Sequence, residues 1–472
     1  MKKLMFSILL VSVSISLGQN TTLRDTTNEF DYVIITLPEF EQTCLPFKQH
    51  KETYNNFSVL ITTKQKILSE FNDSVQVEEN IRDFISYAAT FWQTPTPKYF
   101  LFTGDVDRMP NFEFESIPGY PETDTAKSDY FYGINKYDDT QFVSLFVGRI
   151  ASRTELELNN YFNKVISYEN NPTILPWQNK TLLVADDHYT PSHYNGDIFE
   201  TIISDMVNLL PDYINSKLIF ENDSSSYYGT TDSIVNYINN VGVSSIYFCG
   251  HGNRNIFTHD SLFTVDDVSL LNNNPKYFFF GSLYGQKFST LDSTSMIDQM
   301  MFSQNGAISG IVSVGLNYLS TNSYFYQNLW QNLYTNKHMG EIFKNAVNQH
   351  PSIYEAKKYN IFGDPSLVLK YDQIASNDDD NYPRLNSFEL HQNFPNPFNP
   401  TTTISFVIPK EGHVSLEIYD IIGNNVANLI DERLSQGSYN VDFDASNFSS
   451  GIYFYRLDYN SNVIAKKMIL LK

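Results

Sequence analysis

Two cysteines, Cys44 and Cys249, are all the thiol this 472-residue chain carries. That is too few for a disulfide framework, and it excludes a zinc site built from cysteines. The two fall in different halves of the chain, so a bridge between them is not expected. Basic residues are also scarce, with 32 Lys and Arg against 53 Asp and Glu and a net charge of −21. Losing Lys2 and Lys3 with a cleaved leader would remove two more positive charges. A chain this acidic repels phosphate backbones, which excludes nucleic acid as a partner. Charged residues make up only 18% while aromatic residues reach 15%, a balance that excludes extended disorder and requires large buried cores. Beyond the N-terminus no apolar run is long enough to span a bilayer, so the mature chain is expected to have no membrane span.

The N-terminus has the layout of a secretory leader. Met1-Lys2-Lys3 is positive, Leu4 to Leu17 is apolar and diluted by serines, and Gly18-Gln19 offers small residues for cleavage, which gives a signal peptide over 1–19. From Phe30 to Lys370 short β-branched and aromatic runs alternate with amphipathic stretches. Strands are predicted at Asp31–Leu37, Val59–Thr63, Tyr99–Thr103 and Val143–Val147, then at Thr181–Ala185, Lys217–Phe220, Ser245–Cys249, Tyr277–Phe280 and Ala307–Val312. Helices are predicted around Glu78–Trp92, where Ile81, Phe84, Ile85, Ala88, Ala89 and Trp92 share a face, and over Thr154–Tyr168 behind a Thr154 cap. Further helices are expected around Ile198–Leu210, Thr231–Asn239 and Tyr324–Tyr334. This alternation predicts an α/β domain over 28–372 with parallel sheets and two lobes, 28–172 and 173–372. A polar acidic linker follows over 373–388. Residues 389–472 change to short alternating strands punctuated by Gly412, Gly423, Gly437 and Gly451, the pattern of a small all-β, Ig-like sandwich.

In parallel α/β folds, reactive groups collect at the carboxyl ends of strands. Two such ends carry chemistry. Ile246-Tyr247-Phe248-Cys249 runs into Gly250-His251-Gly252, and Tyr277-Phe278-Phe279-Phe280 runs into Gly281-Ser282-Leu283-Tyr284-Gly285. Glycines beside a histidine let its imidazole and neighbouring N–H groups face a ligand. A hydroxyl at the next strand end completes the minimum for a nucleophile and base. The same residues also fit a turn histidine beside a turn serine.

These two blocks resemble those of the gingipain-like cysteine peptidases, which have the caspase-type fold. The resemblance extends in order through Gly104-Asp105, Ser128-Asp129-Tyr130-Phe131-Tyr132-Gly133, Phe146-Val147-Gly148-Arg149 and Phe362-Gly363-Asp364-Pro365-Ser366-Leu367. It implies that His251 is the catalytic histidine and that Gly252 contributes an oxyanion-hole N–H. It puts the carboxylate that orients the histidine at Asp186, with Asp187 the second choice. It assigns Asp197 to the pocket that takes a basic P1 side chain in arginine-specific members. It puts Ser282 where the family has its nucleophilic cysteine.

That departure governs the functional expectation. A cysteine works through a populated thiolate, whereas a serine hydroxyl needs concerted proton removal by a well-aligned base. Cys249, two residues before His251 and inside a strand, reads as a small buried apolar residue. Only Asn20 to Phe30 separates the leader from the first strand, where secreted gingipains carry a long propeptide. The expectation is therefore a peptidase-fold protein that is inactive or very weakly active and binds polypeptide or a surface partner. The alternative is an active endopeptidase using Ser282 and His251. His188, His193, Asp186, Asp187 and Asp197 include zinc-compatible ligands, but not at a recognised ligand spacing, and no metal is expected there. Structural calcium, known in the family, is compatible with Asp378-Asp379-Asp380, which a solvated linker explains equally well. No other cofactor is expected.

The terminal segment resembles the type IX secretion sorting domain, through Asn393-Phe394-Pro395-Asn396-Pro397-Phe398-Asn399-Pro400, Tyr419-Asp420-Ile421-Ile422-Gly423, Ser450-Gly451-Ile452-Tyr453 and Lys466-Lys467-Met468-Ile469-Leu470-Leu471-Lys472. It implies the type IX machinery as a partner and delivery through the periplasm to the cell surface or medium.

Overall fold

The computed structural model describes residues 21–116, 125–187, 198–258, 260–282, 293–315, 319–373, 388–390, 393, 396–408, 411–434, 437–460 and 462–471. The leader, Asp197, His188, His193, the Asp378–Asp380 run and residues 283–292 after Ser282 lie outside them.

Ten strands build one sheet. They are β1 (Tyr32–Thr36), β2 (Val59–Thr63), β3 (Tyr99–Thr103), β4 (Phe146–Ile150), β5 (Lys180–Ala185), β6 (Asn215–Phe220), β7 (Ser245–Cys249), β8 (Phe278–Ser282), β9 (Ala307–Ser313) and β10 (Tyr359–Gly363). Their order in space is β2-β1-β3-β4-β10-β9-β8-β7-β5-β6. The two sets of strands that the sequence separates near residue 172 are each parallel. They are joined in a single continuous sheet because β10 runs parallel to β4 and antiparallel to β9. The segment expected as a strand at Val143–Val147 is displaced to Phe146–Ile150. Ser144 and Leu145 donate their N–H groups to the Gly133 carbonyl, which takes them out of the ladder.

Helices cover the sheet, whose strands are buried along almost their whole length. They include α1 (Glu41–Tyr54), α2 (Val77–Phe91), α3 (Glu155–Asn170), α4 (Ile198–Val207), α5 (Leu319–Leu333) and α6 (Met339–Asn348). On α2, Ile81, Phe84, Ile85 and Ala88 are buried at the expected spacing. Each large side chain there contributes about 1.5–3 kcal/mol relative to exposure. Helix α3 opens on a capping box in which Thr154 and Glu157 satisfy each other's backbone N–H groups.

The scattered short motifs of the first half meet at the β4–β10 joint. Arg149 is fully buried and its guanidinium grips both oxygens of Asp129, at 2.6 and 2.7 Å. It also donates to the carbonyls of Met109 at 2.6 Å and Gly104 at 3.2 Å. A β-carbon on Gly148 would collide with the Gly363 carbonyl and come within 2.9 Å of Pro365 Cδ, so the two backbones approach this closely only with glycine there. Asp364 accepts from Tyr32 Oη at 2.8 Å and pairs with Lys51 of α1 at 2.7 Å. Lys51 also contacts Glu169 of α3 at 2.7 Å. Burial alone would lower the Lys51 ammonium, but Asp364 and Glu169 outweigh it and hold it above its ordinary value.

The C-terminal unit is a pair of antiparallel sheets. Strands Glu389–Leu390, Thr401–Ile408 and Gly437–Asp444 form one, and Asn425–Leu434, Gly412–Tyr419, Gly451–Tyr459 and Asn462–Leu470 form the other. Val414, Leu416 and Ile418 are buried between them, on the face the alternation predicts. Asn393 ties the entry segment down, donating to Thr402 Oγ1 at 2.9 Å while its backbone N–H donates to Tyr455 Oη at 2.8 Å.

Candidate functional site

Side chains with chemistry line up across four adjacent strand ends. In the order β8-β7-β5-β6 these ends deliver Ser282, His251, Asp186 and Glu221. The register sets the row. Ser282 pairs with Phe248, Ala185 pairs with Cys249 on one side and Phe220 on the other, and the next residue on each of the last two strands is the acid. The ladder continues one step past the strands, with Asp186 N–H donating to the Cys249 carbonyl at 3.1 Å and Glu221 N–H to the Ala185 carbonyl at 3.0 Å.

Asp186 and His251 are directly bonded. Asp186 Oδ2 lies 2.7 Å from His251 Nδ1 and accepts the His251 backbone N–H at 2.6 Å. One carboxylate oxygen thus fixes both ring and backbone of the histidine and leaves Nε2 as the outward nitrogen. Asp186 is buried, and the His251 side chain keeps 25% of its surface exposed. The edge of its ring meets Phe199 of α4, centroids 5.1 Å apart and planes at 86°. The flanking glycines have steric reasons. A β-carbon at Gly250 would run into Asp186, and one at Gly252 would stand 2.7 Å from the Ile256 carbonyl oxygen. Gly252 sits opposite Phe257 in a β-bridge, and Thr258 N–H closes the turn on the His251 carbonyl at 2.8 Å.

Ser282 is buried at the last position of β8, and Tyr326 of α5 donates its hydroxyl to the Ser282 carbonyl. Phe248, Phe257 and Phe280 stack with centroids 4.3 and 5.6 Å apart and are buried beside the strand ends. Neither cysteine offers a thiolate. Burial pushes Cys44 up to about 12 and raises Cys249 as well, and both are buried free thiols, Cys44 on α1 and Cys249 at the end of β7.

Glu221 is the member that sequence reading overlooks. Thr258 Oγ1 donates to its Oε1 at 2.8 Å. Asp187, the second choice for the orienting acid, is half-buried at the end of β5. It faces, with Glu221, Asp223 and Asp260, a pocket of about 430 Å³ that also includes Tyr228 and Thr230. Oxygens of Asp186, Asp187 and Glu221 lie within 4.8 Å of one another. A calcium shell needs roughly six to eight oxygens, and one Asp186 oxygen is already committed twice to His251, so this trio alone does not fit calcium. It has no histidine or thiolate for a transition metal.

A histidine held by a buried acid at the carboxyl ends of a helix-covered sheet is an acid–base pair placed where α/β folds collect their reactive groups. The chain belongs to peptidase family C25, whose profile matches residues 25–370. A secretion system C-terminal sorting domain matches residues 392–471. The crystal structure of the Arg-specific cysteine proteinase gingipain R (RgpB) superposes with a TM-score of 0.59 at 17% identity, over 93% of this chain and 98% of that one. The complex of Porphyromonas gingivalis RgpB pro- and mature domains gives 0.60 at 17% identity, over 93% and 100%. A solved structure described as a protease gives 0.57 at 15% identity, over 95% and 99%. At these identities the likeness establishes the gingipain fold. No curated protein matches the chain in sequence. The sorting domain marks the protein for secretion and cell-surface attachment and implies engagement with the secretion machinery. Among the described residues, no helix is long and apolar enough to cross a membrane.

Proposed function

We propose that this protein is a surface-directed member of family C25 that binds polypeptide at the strand-end row and hydrolyses it poorly or not at all. The observation that carries this reading is the serine at the end of β8, beside an intact Asp186–His251 pair. In the resemblance that position belongs to the nucleophilic cysteine. A hydroxyl is not ionised by a neighbouring imidazole, and its shorter reach leaves the oxygen away from a carbonyl placed for sulfur; about 1 Å of misplacement costs on the order of 100-fold. The acid-lined pocket beside the pair favours ligands with basic side chains. Asp197, assigned by the resemblance to a basic P1 side chain, would add to that preference.

The second reading is a working serine endopeptidase, and the retained 2.7 Å Asp186–His251 bond favours it. In that chemistry Ser282 Oγ bonds to the scissile carbonyl carbon as His251 Nε2 takes the hydroxyl proton. The N–H groups of Gly252 and Ser282 hold the oxyanion. The imidazolium then returns its proton to the leaving amine, and water releases the acyl group. Incubating the mature protein with a broad peptide library, read by mass spectrometry, separates the two. Binding without cleavage supports the first reading. Brisk cleavage that Ser282→Ala abolishes overturns it in favour of the second.

A further inference from the structure

We propose that Glu221, in its neutral form, is a positioning residue that donates a hydrogen bond to Asp186 and so extends the row to Glu221–Asp186–His251–Ser282. The proposal rests on reading Asp186–His251 as the acid–base pair of the site. Two buried oxygens carry it. Asp186 Oδ2 is occupied by His251, while Asp186 Oδ1 is buried with no donor among the described residues. Glu221 Oε1 is occupied by Thr258, while Glu221 Oε2 is likewise buried with no donor. Oxygens of the two carboxyl groups lie within 4.8 Å of each other. Two carboxylates in that position repel, whereas one proton between them satisfies both orphaned oxygens.

Among the described residues, the titratable groups that line this corner are mostly acids. Among these described residues, the titratable groups around Glu221 are Asp186 and Asp187 at the end of β5, Asp223 on its own loop, and Asp260 and Tyr228 across the pocket. Glu200 of α4 lies behind the loop, held by Asn222 and Ser225. His251, reached through Asp186, is the one group of this set able to carry positive charge. Burial, and next the hydrogen bond to Asp186, pushes the Glu221 carboxyl up to about 8. At neutral pH Glu221 therefore keeps its proton and can donate it in a hydrogen bond to Asp186. Raising the pH past that value puts a negative charge behind Asp186 and loosens the alignment of His251.

The test reads the proton itself and needs no turnover, so it stands apart from the question of whether Ser282 is active. Infrared difference spectra of the full mature protein, taken between neutral pH and pH values above about 8, should show a protonated-carboxyl band at neutral pH that disappears on the alkaline side. Glu221→Gln should lack the band. Its amide N–H can still donate to Asp186, so the downfield Nδ1–H resonance of His251, assigned by its loss in His251→Gln, should keep its position. Glu221→Leu should lose the band and move or broaden that resonance. A band unchanged in Glu221→Gln overturns the proposal, as does an unmoved His251 resonance in a folded Glu221→Leu. Calcium that binds at one ion per chain and abolishes the band at neutral pH overturns it in favour of a cation site.

Discussion

Replacing Arg149 with methionine tests whether the joint between the two halves of the sheet depends on one buried ion pair. The side chain is fully buried, holds both oxygens of Asp129 at 2.6 and 2.7 Å, and satisfies the carbonyls of Met109 and Gly104. Methionine fills much of the volume but leaves the Asp129 carboxylate buried and without its cation. Breaking a buried pair in this way costs about 3–5 kcal/mol, a large share of the roughly 5–15 kcal/mol that stabilises a folded domain. Urea unfolding followed by tryptophan fluorescence suits the measurement, because all three tryptophans, Trp92, Trp177 and Trp330, lie in the α/β domain and the sandwich stays silent. Adding Asp129→Asn removes the stranded charge, so the double variant should recover more than about 1 kcal/mol relative to the sum of the single losses. A single variant within about 1 kcal/mol of wild type, or a double variant that merely adds the two losses, refutes the claim that these motifs act as one unit.

Other outcomes follow from the site and the terminal unit. Glu221 holds a proton in the folded protein up to about 8, whereas an unfolded glutamate releases it near 4.3. Between those values the native state binds more protons, so this group makes stability fall as pH rises and stops doing so above about 8. Glu221→Gln removes the slope, so urea midpoints of variant and wild type should diverge in the variant's favour from pH 5 to 8. One proton limits the difference to at most ~1.4 kcal/mol per pH unit, and screening at this partly exposed group keeps it below that; parallel profiles would contradict the assignment. Deleting residues 389–472 should leave the protein in the periplasm. Surface delivery of the truncated chain, measured by protease accessibility on whole cells, would contradict a sorting role.

Much of this is legible in the sequence because periodicity and burial coincide. The run Ser245–Cys249 can only be a central strand, and the α2 face from Ile81 to Ala88 buries as its spacing demands. The glycines around His251 mark an imidazole free to face a ligand, and the structure adds the close approach of Asp186 to Gly250. Other features depend on long-range contacts that local patterns do not carry. Helix α1 contains Pro46 and only a weak apolar stripe; part of its anchoring is Lys51, whose partners Glu169 and Asp364 are distant in the chain. Strand β10 reads as an isolated Gly-Asp-Pro motif until its antiparallel pairing with β9 is seen. Glu221 escapes notice for a similar reason. It is one acid among Glu221, Asp223 and Asp232, and only the order β7-β5-β6 puts it directly behind Asp186.

The most direct measurement on the central claim is Ser282→Cys in the otherwise unaltered mature protein. The account holds that the Asp186–His251 frame is intact and that the nucleophile alone limits chemistry. The introduced thiol should then be labelled by thiol-directed inhibitors, while the buried Cys44 and Cys249 stay unreactive in the parent. Peptide cleavage should rise at least about tenfold over the parent, equivalent to roughly 1.4 kcal/mol of barrier. A Ser282→Cys protein that is labelled no faster than the parent and cleaves nothing would contradict the account.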